Sequence, residues 1–350
     1  MASAGAGIES LQEQVRAAME AKTPLAVRGS DSKKFLGRMN EAEPLDMRGH
    51  SGIVHYDPAE LVMTARCGTP LQDIEAALDE RGQLLACEPP HFGERATFGG
   101  MVAAGLSGPR RPWAGAVRDF VLGCRVIDGR ARALRFGGEV IKNVAGYDVS
   151  RLMTGSFGCL ALLTEVSMKV LPKPQERHTL RIDMDVSEAL RRLALWSREP
   201  LPITGACHDG NSLFVRLEGG HGSVRASAAR LGGAQADNAF WSALREHAHP
   251  FFEGPRPLWR LSLPPATQPL DLPGDVLIDW AGAQHWIRTD APAATIRQAA
   301  ARAQGSAICY RGHPEPFHPL TEPLLALHRR LKSQFDPLGL FNPGRLYANL

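Results

Sequence analysis

The sequence predicts a two-domain α+β protein, and three observations support this fold class. The chain has 350 residues, 44% of them hydrophobic, which is enough to bury the cores of two domains of ordinary size. Pro172-Lys173-Pro174 predicts a domain boundary, because two prolines in three residues break regular structure. Beyond it, short strand patterns alternate with helical patterns in a β-α-β-β-α order, which favours a sheet with helices on one face.

Composition and charge exclude several classes of protein. The net charge is +3 and no long basic run occurs, so we expect no nucleic-acid partner. No window approaches 18 uninterrupted apolar residues and no secretory signal pattern opens the chain, so we expect no transmembrane segment and a cytoplasmic location. The six cysteines are widely spaced, which predicts buried free thiols and no iron–sulfur or zinc site in this chain.

The first part of the chain predicts a helix, a strand and a polar turn. Apolar residues three and four apart predict an amphipathic helix over 8–22 and a short strand over 25–27. The sequence RGSDSKKFLG follows at 28–37. Consecutive amides in such a turn, helped by Ser32 and Lys33, form an anion-binding nest, while a solvated surface loop is the alternative. No G-x-G-x-x-G or G-x-x-x-x-G-K-[ST] motif is present here, which argues against Rossmann and P-loop folds.

Two later segments are rich in glycine and other small residues. Residues 97–108 are nearly all small, which permits close backbone approach to a large rigid ligand; a tightly packed helix is the alternative. The segment 136–172 holds a glycine pair, then GSFG at 155–158, then an apolar run. We expect a cofactor beside these glycines. Between the two segments, 117–127 predicts a strand and 132–136 its hairpin partner.

The second half of the chain carries the predicted α+β elements. Strands are expected at 180–182, 203–207, 213–217, 258–263, 276–279 and 285–288, and helices near 187–196, 223–231 and 293–304. A short helix followed by FDPLGLFNPGRL ends the chain.

Four segments together resemble the vanillyl-alcohol-oxidase (PCMH-type) flavoproteins. They are RGSDSKKFLG, ATFGGMVAAGLSGPRR, VRDFVLGCRVIDG and KNVAGYDVSRLMTGSFGCLALLTEVSMKVLP, and FDPLGLFNPGRL belongs to the same resemblance. Within that family, EPPHFG, LSGPRRPWAGAVRDFVLG and GGEVIKNVAGYD resemble the FAD-binding subunits of bacterial glycolate oxidases. The resemblance covers nearly the whole chain.

The resemblance implies a fold, domain limits and a cofactor. It implies a two-subdomain PCMH-type FAD-binding domain at 1–174, a smaller ferredoxin-like α+β cap domain at 175–335, and a segment at 336–350 that returns to the flavin domain. The FAD-contacting residues that it implies are Gly29, Ser30, Asp31, Ser32, Lys33, Thr97, Gly99, Gly100, Ala103, Gly105, Ser107, Gly108, Asn143, Gly146, Tyr147, Asp148, Gly155, Ser156, Gly158 and Leu162.

The chain departs from the family pattern in places that affect function. Ser30 and Asp31 stand in a loop that is usually richer in glycine, and a carboxylate beside a pyrophosphate is unfavourable unless it points away. Phe157 replaces a glutamate that is common in oxidising relatives. No histidine stands at an obvious flavin-linking position, so we expect non-covalent FAD, and the cap lacks the family's histidine-metal segment, so no metal is expected.

Oxidation of a 2-hydroxy acid needs a base, a cation for the carboxylate and a flavin. The candidates are His313, His318, Arg311 and Arg345, with Tyr310 nearby; ordinary polar roles are the alternative. Three hypotheses stay open. The chain is the FAD-binding subunit of a glycolate oxidase complex with a catalytic flavoprotein sister subunit and an iron–sulfur subunit, and any attachment to a membrane is through that complex. Alternatively, it is a self-sufficient 2-hydroxy-acid dehydrogenase, or a scaffold that has lost a functional flavin.

Overall fold

The chain divides into two compact units. A computed structural model describes residues 7–138 and 148–350. Unit 1 contains the described residues of Met1–Leu106, Ala116–Pro172 and Pro319–Leu350, and unit 2 contains Ser107–Gly115 and Lys173–His318. These limits differ from the predicted domain limits in three places, because 107–115 and 173–174 belong to unit 2 and 319–335 belongs to unit 1.

The described residues form helices and strands in both units. The helices are α1 (Ile8–Ala21), α2 (Leu71–Asp79), α3 (Phe98–Ala104), α4 (Arg111–Ala114), α5 (Val117–Phe120), α6 (Val149–Met153), α7 (Val186–Trp196), α8 (His221–Leu231), α9 (Ala239–Arg245), α10 (Ala293–Arg302) and α11 (Glu322–Phe335). Short 3-10 helices span Pro250–Phe252 and Trp280–Gly282. The strands are β1 (Leu25–Arg28), β2 (Glu43–Asp46), β3 (Ile53–Asp57), β4 (Val62–Arg66), β5 (Gln83–Leu84), β6 (Val121–Ile127), β7 (Ala133–Gly137), β8 (Leu162–Lys169), β9 (Leu171–Pro172), β10 (Glu176–Asp183), β11 (Ile203–His208), β12 (Ser212–Gly219), β13 (Ala234–Ala236), β14 (Leu258–Ser262), β15 (Asp275–Asp279), β16 (Gln284–Arg288) and β17 (Ser306–Arg311).

Unit 1 combines a parallel strand pair with an antiparallel sheet. Within the part of the chain described, β1 pairs in parallel with β2, and β3-β4-β8-β6-β7 form a five-stranded antiparallel sheet. Helix α3 packs on β4 and β8 and buries Phe98, Met101 and Val102 completely. The C-terminal segment joins this unit through Lys332 Nζ, which donates to the carbonyl oxygens of Cys159 at 2.6 Å and Phe341 at 2.8 Å.

Unit 2 is built on one antiparallel sheet. Its eight strands, counted over described residues, lie in the order β13-β10-β12-β11-β15-β16-β14-β17. One core lies beneath α7 and α8 and includes Ala189 and Leu193. A second core lies beneath α10 and includes Trp259 and Ile287. Both cores follow from the alternation of apolar residues along each strand. The predicted α+β class is confirmed.

The predicted strand over 117–127 is wrong at its start. Residues Val117–Phe120 form one helical turn, and β6 begins only at Val121. The Asp119 carboxylate accepts a hydrogen bond from the Ala116 amide at 2.8 Å, which stabilises the start of that turn. Val117 and Phe120, three residues apart, are both buried. Apolar residues at this spacing suit one face of a helical turn as well as a buried strand, which is why the sequence pattern alone misassigned them.

Two global expectations can be compared with the structure. All six cysteines are buried and none is in a disulfide, as predicted for free thiols. Over residues 7–138 and 148–350, no helix has both the length and the apolar composition that crossing a bilayer requires.

Candidate cofactor site

A cleft in unit 1 lies between the 28–34 loop and the first residues of α3. Its empty volume is about 760 Å³, including space open to solvent, and a recess of about 430 Å³ shares residues Val27, Gly29, Thr97, Gly100 and Phe157 with it. Sites for cofactors and other small molecules commonly have volumes of about 300–1,000 Å³. Each of the two spaces, which share part of their lining, therefore has the scale of a small-molecule or cofactor site.

The first wall of the cleft is the loop after β1. Asp31 adopts a left-handed conformation with φ of 60°, which aspartate tolerates better than most residues. Its carboxylate lies 3.7 Å from Arg28 Nη1, and both side chains are about one third exposed. This ion pair partly neutralises the negative charge that the sequence placed unfavourably in the loop.

Lys33 ties this loop to the 91–92 segment of the same unit. Its Nζ donates to the His91 carbonyl oxygen at 3.1 Å and to Ser32 Oγ at 3.3 Å, and it lies 5.8 Å from the centroid of the Phe92 ring. Ser30, Ser32 and Lys33 all line the cleft. Hydroxyl and ammonium groups of this kind are donors suited to a pyrophosphate.

The second wall begins at Thr97, where the chain enters α3. Thr97 Oγ1 accepts a hydrogen bond from the Gly100 amide at 3.2 Å and so caps the helix. A Cβ on Gly29 would lie 2.3 Å from this same oxygen, and a Cβ on Gly99 would lie 2.5 Å from the Cβ of Cys67. Glycine is therefore required at 29 for the two walls to approach this closely, and at 99 for α3 to pack against Cys67.

The GSFG segment packs against the end of α3 and completes the cleft. The Gly155 amide donates to the Val102 carbonyl at 3.1 Å, and the Phe157 amide donates to the Ala103 carbonyl at 2.9 Å. Gly155, Phe157 and Gly158 all have positive φ, at 77°, 52° and 68°. Phe157 lines both the cleft and its recess, so an aromatic ring occupies the position where the sequence departs from its relatives.

Asn342 is a functional candidate that the sequence reasoning did not single out. Its Oδ1 accepts from the Val27 amide at 2.9 Å, and its Nδ2 donates to the Phe157 carbonyl at 2.7 Å. Asn342 lines the cleft and is only 6% exposed. It therefore fixes β1 against the GSFG segment. The only sequence signal was the FNPGRL motif, which did not indicate the contact because the partners lie more than 180 residues away.

Arg345 holds the outer part of the first wall. Its guanidinium donates to the carbonyl oxygens of Lys34 at 3.0 Å, Leu36 at 2.5 Å and Arg38 at 2.5 Å. Burial lowers the pKa of Arg345 from its usual value, and nearby Cys159 and Asp31 act in the opposite direction. Because this guanidinium donates to three backbone carbonyls, the geometry favours a structural role, holding the loop, over the predicted binding of a carboxylate.

The structure brings many, but not all, of the predicted cofactor residues to the cleft. Those lining it are Gly29, Ser30, Asp31, Ser32, Lys33, Thr97, Gly99, Gly100, Ala103 and Gly158. Gly105, Gly155 and Ser156 pack behind this surface, and Leu162 begins β8 between the lining residues Ala161 and Leu163. Asp148 caps α6 and is exposed. Asn143, Gly146 and Tyr147 lie outside the described residues.

Ser107 and Gly108 lie in unit 2 and do not line this cleft. The Gly108 carbonyl accepts a hydrogen bond from Trp280 Nε1 at 3.0 Å. Two residues later, Arg110 pairs with Glu218 at 2.6 Å, and both side chains are buried. The contacts of 107–115 are therefore with the sheet of unit 2, which explains why this segment departs from the predicted boundary.

The other catalytic candidates also lie in unit 2. His313 Nδ1 bonds the Glu315 backbone, and His318 Nδ1 accepts from the Ala307 amide at 3.3 Å. Burial, followed by the charge of Arg297, lowers the pKa of both imidazoles. Arg311 donates to the Phe252 carbonyl at 2.9 Å. Whether any of these groups acts in catalysis stays a prediction.

The residues of the cleft fit a flavin dinucleotide. The amides and hydroxyls of 29–33, with Lys33, supply donors for a pyrophosphate, and Gly29, Gly100 and Ala103 leave backbone open to a flat ring. The bare backbone is thus positioned where a large planar ligand needs it.

Comparisons with known proteins agree with this geometry. A family model described as "FAD binding domain" matches residues 6–137. The chain is 55% identical to the glycolate oxidase subunit GlcE of Escherichia coli over 342 residues, which is 98% of each chain. It is 31% identical to the glycolate oxidase subunit GlcD of Bacillus subtilis over 46% of this chain and 34% of that protein.

The fold has a counterpart among solved structures. An alkyldihydroxyacetonephosphate synthase superposes with a TM-score of 0.67 and 17% identity, covering 96% of this chain and 75% of that one. At this identity the likeness concerns the fold alone. Together with the family match, it confirms the predicted PCMH-type fold, and the sequence matches confirm FAD as the cofactor.

Proposed function

We propose a function for this chain from one premise: it belongs to the family of the glycolate oxidase subunit GlcE. It is an FAD-dependent oxidoreductase subunit, as the sequence predicted. We infer that it serves as the FAD-binding subunit of a multi-subunit glycolate oxidase, which converts glycolate to glyoxylate. When bound, FAD supplies the two-electron acceptor that this oxidation needs.

One observation carries the proposal. The identity to GlcE extends over 98% of both chains, and this chain carries a cleft whose residues fit FAD. In this proposal the chain's own residues hold the cofactor. Gly29–Lys33 contact its pyrophosphate, Thr97–Ala103 contact its flat face, and Asn342 and Arg345 keep the two walls in place.

We place the oxidation of substrate mainly on a sister flavoprotein subunit. Among the described residues that line the cleft there is no histidine, and the carboxylate of Asp31 is paired with Arg28. No group of three or more histidine, cysteine or acidic residues suited to a metal occurs in the described chain. Electrons therefore pass, in this proposal, to an iron–sulfur subunit, and the complex is cytoplasmic, with any membrane contact made through its other subunits.

Anaerobic flavin reduction tests this function. The purified chain is mixed with glycolate in the absence of oxygen, first alone and then with its co-purified partner subunits, while flavin absorbance near 450 nm is followed. We expect bleaching only when the partners are present. Bleaching of the isolated chain would instead establish a self-sufficient 2-hydroxy-acid dehydrogenase, and a colourless, folded chain that refuses added FAD would leave only the scaffold hypothesis.

A further inference from the structure

Unit 2 carries a half-buried positive charge, that of Arg260, on the sheet face opposite α10. In β14, Trp259 and Leu261 point into the core beneath α10, so the intervening Arg260 lies on the other face. Arg260 Nη1 donates to Tyr310 Oη at 2.9 Å. Its Nε is buried and has no hydrogen-bond partner among the described residues.

Aromatic side chains surround this guanidinium. Trp286 lies opposite Arg260 in the β14–β16 register, and its ring meets the Tyr310 ring edge-on at 4.7 Å. The imidazole of His247 lies 4.7 Å from the Trp286 ring and 5.8 Å from the Tyr310 ring. Tyr310 and Trp286 are 3% and 4% exposed, so water screens a charge poorly at this place.

No carboxylate balances the charge within the described chain. Neither Arg260 nor its neighbour Arg311 lies within 4.0 Å of a carboxylate oxygen of a described residue, and Arg311 donates instead to the Phe252 carbonyl. Burial, then the charges of Arg311 and Arg260, lower the pKa of His247 to about 3. The imidazole is therefore neutral at physiological pH, and the local potential is positive.

Other arginines of unit 2 lie in different surroundings. Arg110, Arg177 and Arg216 all lie within 3.5 Å of the Glu218 carboxylate. The Nε atoms of Arg288 and Arg297 are also buried without a hydrogen-bond partner among the described residues, but Arg288 donates to the Phe251 carbonyl, and Arg297, which lies over the Trp259 ring on the opposite sheet face, donates to the carbonyls of Glu315 and Phe317. Arg260 instead donates to a tyrosine hydroxyl, and a half-buried guanidinium without a carboxylate costs stability, so its presence needs another explanation.

We propose that Arg260, with Tyr310 and Arg311, binds the carboxylate of a small organic acid. A guanidinium forms strong, charge-assisted hydrogen bonds with a carboxylate, and Nε supplies a donor that is already desolvated. The charge argument stands on unit 2 alone. The choice of a short 2-hydroxy or 2-oxo acid as the ligand rests on the proposed function.

Tryptophan fluorescence offers a direct readout of this site. All six tryptophans lie in unit 2, at 113, 196, 241, 259, 280 and 286, and Trp286 adjoins Tyr310. The FAD-loaded full chain is titrated with oxalate, a stable two-carbon acid, by calorimetry and by tryptophan emission. The variants are Arg260→Gln, Arg260→Lys and the opposite-face control Arg297→Gln.

We expect oxalate to bind the wild-type chain, and its Kd to rise at least tenfold in Arg260→Gln. Arg260→Lys should lie between the two, since an ammonium keeps the charge but lacks the planar fork. In Arg297→Gln the Kd should stay within twofold. Without ligand, the melting temperature of Arg260→Gln should not fall, whereas the loss of a structural arginine would lower it.

Two results would overturn the proposal: a wild-type chain that binds no oxalate, or equal affinities of the wild-type chain and Arg260→Gln. Failure of this site is distinguishable from failure of the proposed function. If glycolate never reduces the flavin but oxalate binding depends on Arg260, only the proposed function fails. If glycolate reduces the flavin with partners present but oxalate binds the wild-type chain and Arg260→Gln equally well, only the proposal of an anion site is contradicted.

Discussion

The functional candidates in the two units depend on different kinds of residue. In unit 1, the cleft depends on glycines that permit close packing, as at 29 and 99, and on a few polar side chains, such as Asn342, that hydrogen-bond the backbone. Unit 2 instead carries formal charges within its sheet, compensated at Glu218 and uncompensated at Arg260. The comparison indicates that small steric changes should govern ligand binding in unit 1. In unit 2, loss of the compensating Glu218 carboxylate should govern stability.

The largest expected effect is a fall in the free energy of unfolding when the buried Glu218 carboxylate of unit 2 is removed. Glu218→Gln leaves Arg110, Arg177 and Arg216 without a counter-charge, so we expect the free energy of unfolding to fall by about 3–5 kcal/mol. Urea denaturation followed by tryptophan emission measures it. Glu199→Gln, which removes a partly exposed pair with Arg230, is the matched control and should cost less than about 1 kcal/mol.

The same carboxylate predicts a dependence of stability on pH. Burial raises the pKa of Glu218, but Arg216, Arg110 and Arg177 outweigh it and hold the pKa below the usual 4.5. A lowered pKa in the folded state contributes stability above pH 4.5, and this contribution is lost as the pH falls further. The urea midpoint should therefore decline below that pH in the wild type and more shallowly in Glu218→Gln. Parallel profiles would contradict the prediction.

In unit 1, a side chain added at Gly29 should remove most of the affinity for FAD. Its Cβ would lie 2.3 Å from Thr97 Oγ1, so either the helix cap or the loop must move. For Gly29→Val we expect an affinity loss of about 100-fold, or ~2.7 kcal/mol, measured by quenching of flavin emission. Gly222→Ala in α8 is the control, because its Cβ would meet nothing within 4 Å. Unchanged FAD binding by Gly29→Val would argue against this loop as a wall of the site.

A smaller loss of FAD affinity is expected when Asn342 no longer holds β1 against the GSFG segment. Asn342→Ala removes the bonds to the Val27 amide and the Phe157 carbonyl, and we expect FAD to bind about tenfold more weakly. Asn342→Asp keeps the acceptor for Val27 and loses the donor to Phe157, so its loss should be intermediate. Equilibrium dialysis of FAD against each apoprotein measures both, and wild-type affinity in Asn342→Ala would show that these hydrogen bonds are dispensable.

The smallest change in FAD affinity is expected when Asp31 is substituted, and the affinity should increase. Asp31→Gly suits the φ of 60° and removes a negative charge from a loop that we place beside the pyrophosphate. We expect FAD to bind about threefold more tightly, and Asp31→Asn to show how much of the gain is electrostatic. Weaker binding in both variants would mean that the pair with Arg28 is needed to hold the loop.

Local sequence features favoured a cofactor beside three segments of the chain. Glycine and hydroxyl patterns drew attention to the 29–33 loop, the small residues after Thr97 and the GSFG turn, and the family resemblance implied the individual contacts, which stay predictions. Asn342 was missed because its partners are more than 180 residues distant. Gly108 was placed with the cofactor because its small neighbours resembled the rest of that run, whereas Trp280 binds its carbonyl within unit 2.

The sequence pattern also did not predict which charged residues of unit 2 pair with one another. Arg260 and Glu218 look like ordinary polar residues of alternating strands, and only the sheet register shows which of them has a partner. The α+β class and most strands of unit 2 were predicted, because alternation along a strand is a local property.

Hydrogen exchange of the full-length apoprotein, with and without FAD, tests the central claim most directly. The account predicts that FAD slows exchange of the amides at 29–33 and 97–104, while the amides of β11 in unit 2 exchange as before. Protection confined to unit 2, or no protection of either wall of the cleft when FAD is bound, would contradict it.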